Sequence, residues 1–373
     1  MIYLDYAASS PPWQEAAQTV RDAMLMQFGN PGALHRAGAD ARYLLQQSRK
    51  TIAQLLGVRA EEVFFTSGGT EANNWAVKMG CAPGRMHIVA SAAEHKSVLE
   101  PLKRLQTEGY CVSLVSPGQD GILSPDAVRA ALKPDTGLLC VQAVNNETGA
   151  MQDIAALSAV ARQHGARFLC DGVQSFGHTA QPLSCADYIS LSAHKLGGPR
   201  GVGCLVVRYP NSLQPMIDGG GQEFGARSGT ENIAAIAGFT RAAQLSCEMQ
   251  DKEFERLAKL SQTLLSGLHS VYPAMKLNGS EQHGYPGIRS CWFPGISAEE
   301  MVLRMDSMGI CLSPGAACAA RDPRPSHVLL SMGYPEQRAR ESVRFSMGRL
   351  TTPEEIEQTI CAVREVLKAK GIL

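Results

Sequence analysis

The sequence predicts an α/β fold with a mainly parallel, seven-stranded sheet. Between residues 14 and 250, short apolar runs alternate with helical patterns such as SVLEPLKRLQTEG, and this alternation is typical of βαβ units. The runs predicted as strands are VFFT (63–66), HIVA (87–90), CVSLV (111–115), GLLCVQ (137–142), ARFLC (166–170), YISLS (188–192) and GCLVV (203–207). Ligands of such sheets bind beyond the carboxyl ends of the strands, so the residues that follow these runs are candidate site residues.

The pattern changes after a long helical stretch at about 231–268. GIRSCWF (287–293) and SVRFSM (342–347) are predicted strands, and SAEEMVLRMDSMG is a predicted helix. A closing amphipathic helix has Thr351 or Thr352 near its N-cap. We therefore predict a large α/β domain over 14–252 and a smaller α+β domain made of 1–13 and 253–373.

Composition is that of a soluble globular enzyme, with 45% hydrophobic and 19% charged residues and a formal net charge of zero. The charge balance gives no bulk attraction to nucleic acid or to acidic membranes. The 11 cysteines form no CxxC pair and favour a reducing compartment. With no secretory signal and no run long enough to span a bilayer, we expect a cytoplasmic protein. No metal site is predicted.

Lys195 lies in a glycine-rich turn, LSAHKLGGPRGVG, directly after a predicted strand. Most loop lysines are simply solvated. Here Ser192 and His194 offer hydrogen-bonding groups nearby, and the glycines let backbone approach a ligand closely. A partly desolvated lysine has a lowered pKa and can attack an aldehyde. Lys195 is therefore a candidate for covalent attachment of an aldehyde cofactor.

FFTSGGTEANN places Gly68, Gly69 and Thr70 between a strand and a helix. The first amides of a helix have no internal partners and suit a phosphate. An ordinary turn capped by Thr70 explains the same residues about as well. The segment is not a Walker A loop, and no G-x-G-x-x-G fingerprint occurs in the chain.

Three further polar residues follow predicted strands. Asp171, in RFLCDGVQSFGH, can pair with a protonated pyridine nitrogen, although a helix N-cap is a comparable explanation. Gln174 is then a candidate donor to the phenolic oxygen of the same ring. His95, in SAAEHKSVLEP, can stack on the ring and move protons, although a lone histidine is more often structural.

Cys318 differs from most other cysteines of the chain, because no apolar run surrounds it in LSPGAACAARDPRPSHVLL. Glycine, alanine and proline dominate this stretch, and it has neither helical nor strand periodicity. An accessible loop thiol is a potential nucleophile when its thiolate forms. An incidental loop cysteine is an equally good explanation of these residues alone.

Together these motifs resemble the class V aminotransferase superfamily, the fold type I enzymes that use pyridoxal 5′-phosphate and have an aspartate aminotransferase-like fold. Within it, the chain is similar to cysteine desulfurases of the NifS/IscS type. The resemblance covers nearly the whole chain, in order. Its segments are YLDYAASSPP, FGNPGALHRAGADAR, TSGGTEANN, AEHKSVL, VNNETG, CDGVQSFG, SAHKLGGPRGVG, GGGQEFGARSGTEN, GAACAARDPRPSHVL and SVRFSMGR.

The resemblance implies a cofactor-binding set of Gly69, Thr70, His95, Asp171, Gln174, Ser192, His194, Lys195 and Thr230. Lys195 would hold the cofactor as a Schiff base, and His95 would take part in catalysis. Thr230 would reach the phosphate bound by a neighbouring subunit, which implies a homodimer.

The resemblance also implies the reaction. Asn146 and Arg344 would bind the carboxylate of L-cysteine, and Cys318 would accept the sulfur as a persulfide while L-alanine is released. An unidentified protein would take the sulfur onward for iron–sulfur cluster or thio-cofactor synthesis. Phe224 and Gly197 depart from the family pattern, which has a basic and a larger residue respectively at these positions.

Two other functions are consistent with parts of this pattern. A selenocysteine lyase or another class V aminotransferase would keep Lys195 and Asp171 but would not need a loop cysteine. A non-catalytic partner subunit that only binds pyridoxal phosphate would not need Lys195, which this chain retains.

Overall fold

The computed structural model describes residues 1–82, 84–210, 214–315 and 324–373. The strands in these ranges are β1 (Ile2–Tyr3), β2 (Val63–Thr66), β3 (His87–Ser91), β4 (Cys111–Val115), β5 (Thr136–Gln142), β6 (Arg167–Asp171), β7 (Tyr188–Ser192), β8 (Gly203–Val207), β9 (Lys276–Asn278), β10 (Ile288–Trp292), β11 (Ile310–Cys311) and β12 (Ser342–Ser346). The α-helices are α1 (Gln14–Met26), α2 (Arg36–Leu56), α3 (Gly69–Met79), α4 (Lys96–Thr107), α5 (Pro125–Ala131), α6 (Ile154–His164), α7 (Ile233–Val271), α8 (Ala298–Ser307), α9 (His327–Ser331), α10 (Glu336–Arg340) and α11 (Pro353–Ala369).

The large sheet has seven strands in the order β2-β8-β7-β6-β5-β3-β4. Adjacent strands in the run β7-β6-β5-β3-β4 are parallel to each other. Strand β8 runs antiparallel to both of its neighbours, β2 and β7. The predicted fold class is confirmed, and the bounds of all seven predicted strands agree with the structure to within one residue.

Both faces of this sheet are covered, which explains why its strands are continuous apolar runs. Phe65 and Leu139 point into a core shared with α2, α6 and α7, whereas Phe64 and Cys140 point into a core shared with α3 and α4. Consecutive residues of one strand are therefore buried in opposite layers.

Two small sheets lie apart from the large one. One has the order β12-β10-β9 and is antiparallel, and the other is the parallel pair β1 and β11. Their core includes residues of α8, α11 and the second half of α7. The first half of α7, including Phe239, packs in a core of the large sheet instead. The predicted division at residue 252 thus falls inside one continuous helix and stays a prediction.

Helix ends follow local sequence signals. Thr352, rather than Thr351, is the N-cap of α11, and it forms a capping box with Glu355. Among the described residues, no helix is both long and apolar enough to cross a membrane.

Candidate active site

A cavity of about 220 Å³ lies at the carboxyl ends of β5, β6 and β7. The last residue of each of these strands lines it: Gln142, Asp171 and Ser192. The predicted site residues that the structure brings together around it are Gly69, Thr70, His95, Asn146, Asp171, Gln174, Ser192, His194, Lys195 and Arg344. The strand-end location is the one that the sequence predicts for this class of sheet.

Lys195 ends a short 3-10 turn that follows β7. Its Nζ donates to the backbone carbonyls of Ala7 at 2.5 Å and Ala8 at 3.0 Å. Its own carbonyl accepts hydrogen bonds from Ser10 Oγ at 2.6 Å and His178 Nε2 at 3.0 Å. The segment before α1 therefore fixes the position of Lys195 by hydrogen bonds to both its side-chain amine and its backbone carbonyl. The motif YLDYAASSPP marks this segment, but sequence reasoning assigned no role to these residues.

The start of α3 is open toward the cavity. Its N-cap is Gly68, not Thr70, and no side chain caps it. The amides at the first helical positions are thus available to an anion. A Cβ on Gly203 would lie 2.8 Å from the Cα of Gly68 and 2.3 Å from the carbonyl oxygen of Leu191, so only glycine lets β8 approach this turn.

His194 lies beside this open helix end. Burial, together with the nearby charges of Lys195 and Arg200, lowers the pKa of His194 to about 4. This lowered pKa favours the neutral imidazole, which can donate or accept a hydrogen bond.

Asp171 ends β6 with its carboxylate held on both oxygens. Oδ1 accepts from the amide of Val173 at 3.0 Å, and Oδ2 accepts from Asn73 Nδ2 at 2.7 Å. A series of turns rather than a helix follows it, so it is not a helix N-cap. Gln174, in those turns, donates to the carbonyl of Ala7 at 2.9 Å. Sequence reasoning missed Asn73, although the motif TSGGTEANN contains it.

His95 is the N-cap of α4. Its Nδ1 accepts from the amide of Ser97 at 3.1 Å and lies 2.8 Å from Ser97 Oγ. Burial lowers the pKa of His95, which Asp171 opposes and Lys195 reinforces. His95 therefore caps α4 and also lines the cavity.

Arg344 extends from β12 with only 1% of its side chain exposed. Its Nη2 lies 2.8 Å from Asp5 Oδ1, and its Nη1 donates to the carbonyl of Asn146 at 2.8 Å. Its Nε is buried and has no partner among the described residues. A guanidinium in the cavity wall is a group that suits a ligand carboxylate. Asp5 was not foreseen from the sequence.

One predicted site residue is not brought to the cavity, and another lies outside the described residues. Thr230 is exposed and does not line it, and Cys318 lies outside the described residues. The residues on either side of 316–323 are anchored near the cavity. The backbone of Ser313 pairs with that of Arg344, and Ser326 Oγ donates to Glu147 Oε2 at 2.5 Å.

Gly197 has a structural explanation. Its φ is +77°, and an added Cβ would lie 2.9 Å from both the Pro11 carbonyl oxygen and the Trp13 ring. Trp13 Nε1 donates to the carbonyl of Leu196 at 2.9 Å. The indole thus occupies the space that a larger residue at 197 would need.

These groups fit pyridoxal phosphate. The open end of α3 suits the phosphate, and the Asp171 carboxylate suits a protonated ring nitrogen. Lys195 supplies the amine for the aldehyde. Asn73 and Arg344 line the cavity, and each has one buried polar atom, Oδ1 and Nε respectively, with no partner among the described residues.

The fold and this site define a pyridoxal-phosphate enzyme of fold type I. Residues 2–359 match the family described as aminotransferase class-V, and the chain belongs to that family.

Two curated relatives of similar sequence are named as cysteine desulfurases. Cysteine desulfurase IscS of Dictyoglomus turgidum is 34% identical over 98% of this chain and 94% of its own length. Putative cysteine desulfurase IscS 1 of Bacillus subtilis is 35% identical over 98% of both chains. A solved structure titled NIFS-LIKE PROTEIN superposes with a TM-score of 0.92 over 99% of each chain, at 29% identity.

Proposed function

We propose that this chain is a pyridoxal-phosphate-dependent cysteine desulfurase. It converts L-cysteine to L-alanine and passes the sulfur to Cys318 as a persulfide. One observation carries the proposal: Lys195, Asp171 and the open end of α3 line the same cavity as Arg344, which has an unpartnered buried donor. The relatives named cysteine desulfurase support this reaction over others of the family.

When bound, the cofactor supplies an electron sink for negative charge at the substrate α-carbon. Lys195 would hold it through Nζ. Once freed, the neutral amine could move the α-proton, with the carbonyls of Ala7 and Ala8 placed to accept hydrogen bonds from it. Arg344 and Asn146 orient the substrate carboxylate. The Cys318 thiolate attacks the substrate sulfur, so that an S–S bond forms as the C–S bond breaks. The carbon that loses sulfur takes up a proton, and L-alanine leaves.

Cofactor attachment is tested with Lys195→Ala. We expect the wild-type protein to show a visible absorption band that borohydride removes, because borohydride reduces the bond between lysine and aldehyde. The variant should lack that reducible band. A colourless wild-type protein after incubation with pyridoxal phosphate would contradict the proposal.

The sulfur-acceptor role is tested with Cys318→Ala. We expect alanine production from L-cysteine to fall to background, with the cofactor band retained. Cys361→Ala is the control, because Cys361 is a free and exposed cysteine that has no proposed role. Wild-type alanine production by Cys318→Ala would rule out this role. Keto-acid release from several amino acids, instead of sulfide release, would favour the aminotransferase alternative.

We also propose that the enzyme is a homodimer in which Thr230 reaches the partner's cofactor phosphate. Two observations support this. Phe28 is 77% and Leu34 98% exposed, and a groove joins their loop to the turn at Phe224 and to Glu231. Sedimentation of wild type and Leu34→Glu is the test: a dimer that Leu34→Glu weakens is expected, and a wild-type monomer would contradict it.

The cytoplasm is the proposed location, and an unidentified protein is the proposed sulfur acceptor. All ten cysteines of the described residues are free, which suits a reducing compartment. The proposed use of the sulfur is iron–sulfur cluster or thio-cofactor synthesis. Mass spectrometry of proteins that take radioactive sulfur from the persulfidated enzyme tests the acceptor.

A further inference from the structure

The side-chain amide of Asn73 joins two parts of the site. Asn73 lies on α3, lines the cavity and is 1% exposed. Its Nδ2 donates to Asp171 Oδ2 at 2.7 Å and to Ser97 Oγ at 2.8 Å. Both hydrogens of one amide are thus used, one toward the end of β6 and one toward the start of α4.

The direction of these hydrogen bonds is fixed by chemistry. An amide nitrogen only donates, so Ser97 Oγ accepts from Asn73 and can give its own hydrogen to His95 Nδ1, 2.8 Å away. The amide of Ser97 also donates to Nδ1. Nδ1 therefore accepts twice, and neutral His95 carries its proton on Nε2.

The amide orientation of Asn73 is also determined. The opposite orientation would place its carbonyl oxygen against the carboxylate of Asp171 and leave Ser97 without that donor. In the observed orientation, Asn73 Oδ1 is buried and has no partner among the described residues. The side chain is thus fixed by its hydrogen bonds to Asp171 and Ser97, while its own carbonyl oxygen has no hydrogen-bond donor among the described residues.

We propose that Asn73 is a positioning residue that holds the carboxylate of Asp171 and, through Ser97, keeps the proton of His95 on Nε2. One amide then positions the carboxylate that would face the ring nitrogen and also sets the tautomer of the imidazole. The consequence for cofactor binding rests on the proposed function, whereas the consequence for His95 does not. The charged or titratable groups that influence His95 are Asp171, Lys195, His327 and Glu147.

The test uses the full-length chain labelled with ¹⁵N-histidine, with and without pyridoxal phosphate. The nine histidines are resolved by NMR, and His95→Gln identifies the His95 signals. The variants are Asn73→Ala, Ser97→Ala and the control Asn74→Ala. Asn74 is the next residue of α3, and its side-chain amide donates to the carbonyls of Thr70 and Ser97.

The expected results separate the two consequences. In the wild type, Nε2 should carry the proton of neutral His95. Asn73→Ala and Ser97→Ala should both shift its Nδ1 signal. Asn73→Ala should also weaken pyridoxal-phosphate binding about tenfold or more, since it removes a hydrogen bond to a charged group. Ser97→Ala should change that affinity less than Asn73→Ala does, and Asn74→Ala should change neither property.

Three results would overturn the proposal. They are an unchanged His95 spectrum in Asn73→Ala, an Nδ1 that carries the proton in the wild type, and the same changes in Asn74→Ala. If Asn73→Ala is too unstable to study, an unchanged His95 spectrum in Ser97→Ala also overturns it. A chain that binds no pyridoxal phosphate would refute the proposed function but leave the His95 measurement intact.

Discussion

The buried ion pair between Arg49 and Glu223 allows a direct test of what stabilises the turn at Glu223 and Phe224. Two nitrogens of Arg49 each lie 2.7 Å from an oxygen of Glu223, and the side chains are 7% and 2% exposed. Glu223 also accepts from the amide of Phe65 in β2, at 2.9 Å. Glu223 and Phe224 have left-handed φ angles of 50° and 59°.

The expected cost of breaking this pair is large. Removing one partner of a buried ion pair costs about 3–5 kcal/mol, because the other charge is left without compensation. Left-handed backbone costs about 1–2 kcal/mol for each non-glycine residue, so relaxation of Glu223 and Phe224 would recover part of this cost and place the loss at the lower end of the range. We expect Glu223→Gln to lower the free energy of unfolding by about 3 kcal/mol or more, out of a typical total of about 5–15 kcal/mol.

Urea unfolding of a double-mutant cycle measures this cost. The cycle consists of wild type, Glu223→Gln, Arg49→Met and the double variant. Because the double variant leaves neither charge alone, it should lose less than the sum of the single losses. Two outcomes would contradict this expectation. One is a loss of stability below about 1 kcal/mol for Glu223→Gln, as for an exposed ion pair. The other is a double variant whose loss equals the sum of the two single losses.

Asp5→Asn should raise the KM for L-cysteine by about tenfold with a smaller change in kcat, because Asp5 orients the Arg344 guanidinium. A fall in kcat without a rise in KM would contradict this expectation. Gly203→Ala should abolish pyridoxal-phosphate binding in equilibrium dialysis, because its Cβ would lie 2.8 Å from the Cα of Gly68; retained affinity would show that the turn can move. His194 has an unfolded pKa near 6.5 and, mainly through burial, a folded pKa of about 4. Its unfolded form therefore binds more protons between these values, and stability should fall as pH drops from 6.5 to 4. His194→Gln should flatten that part of the urea-derived stability curve, and an identical curve would contradict the assignment.

The large sheet was predictable because both of its faces are buried. Neighbouring strand residues such as Phe64 and Phe65 enter different cores, so each strand is an uninterrupted apolar run in the sequence. The same logic located Asp171 and Ser192, since each ends such a run. The helix cap beside the cavity was not predictable in this way, and the structure shows that Gly68 rather than Thr70 is the N-cap of α3.

The residues that the sequence did not reveal act through contacts between distant segments. Asp5 meets Arg344 across 339 positions, and no local periodicity reports such a pair. Asn73 lies in the second turn of α3, and Ser97 lies in the first turn of α4. Most polar residues in such turns cap the helix or face solvent. Their burial depends on how α3 and α4 pack over the sheet.

The segment before α1 also has a consequence for biosynthesis. A ribosome that adds about 5–20 residues per second needs roughly 20–70 s to pass from Asp5 to Arg344. During that interval Asp5 has no counter-charge from Arg344, and β1 cannot pair until β11 emerges. The cavity therefore cannot be complete until Arg344 has been synthesised, so stable loading of the cofactor must follow the synthesis of β12.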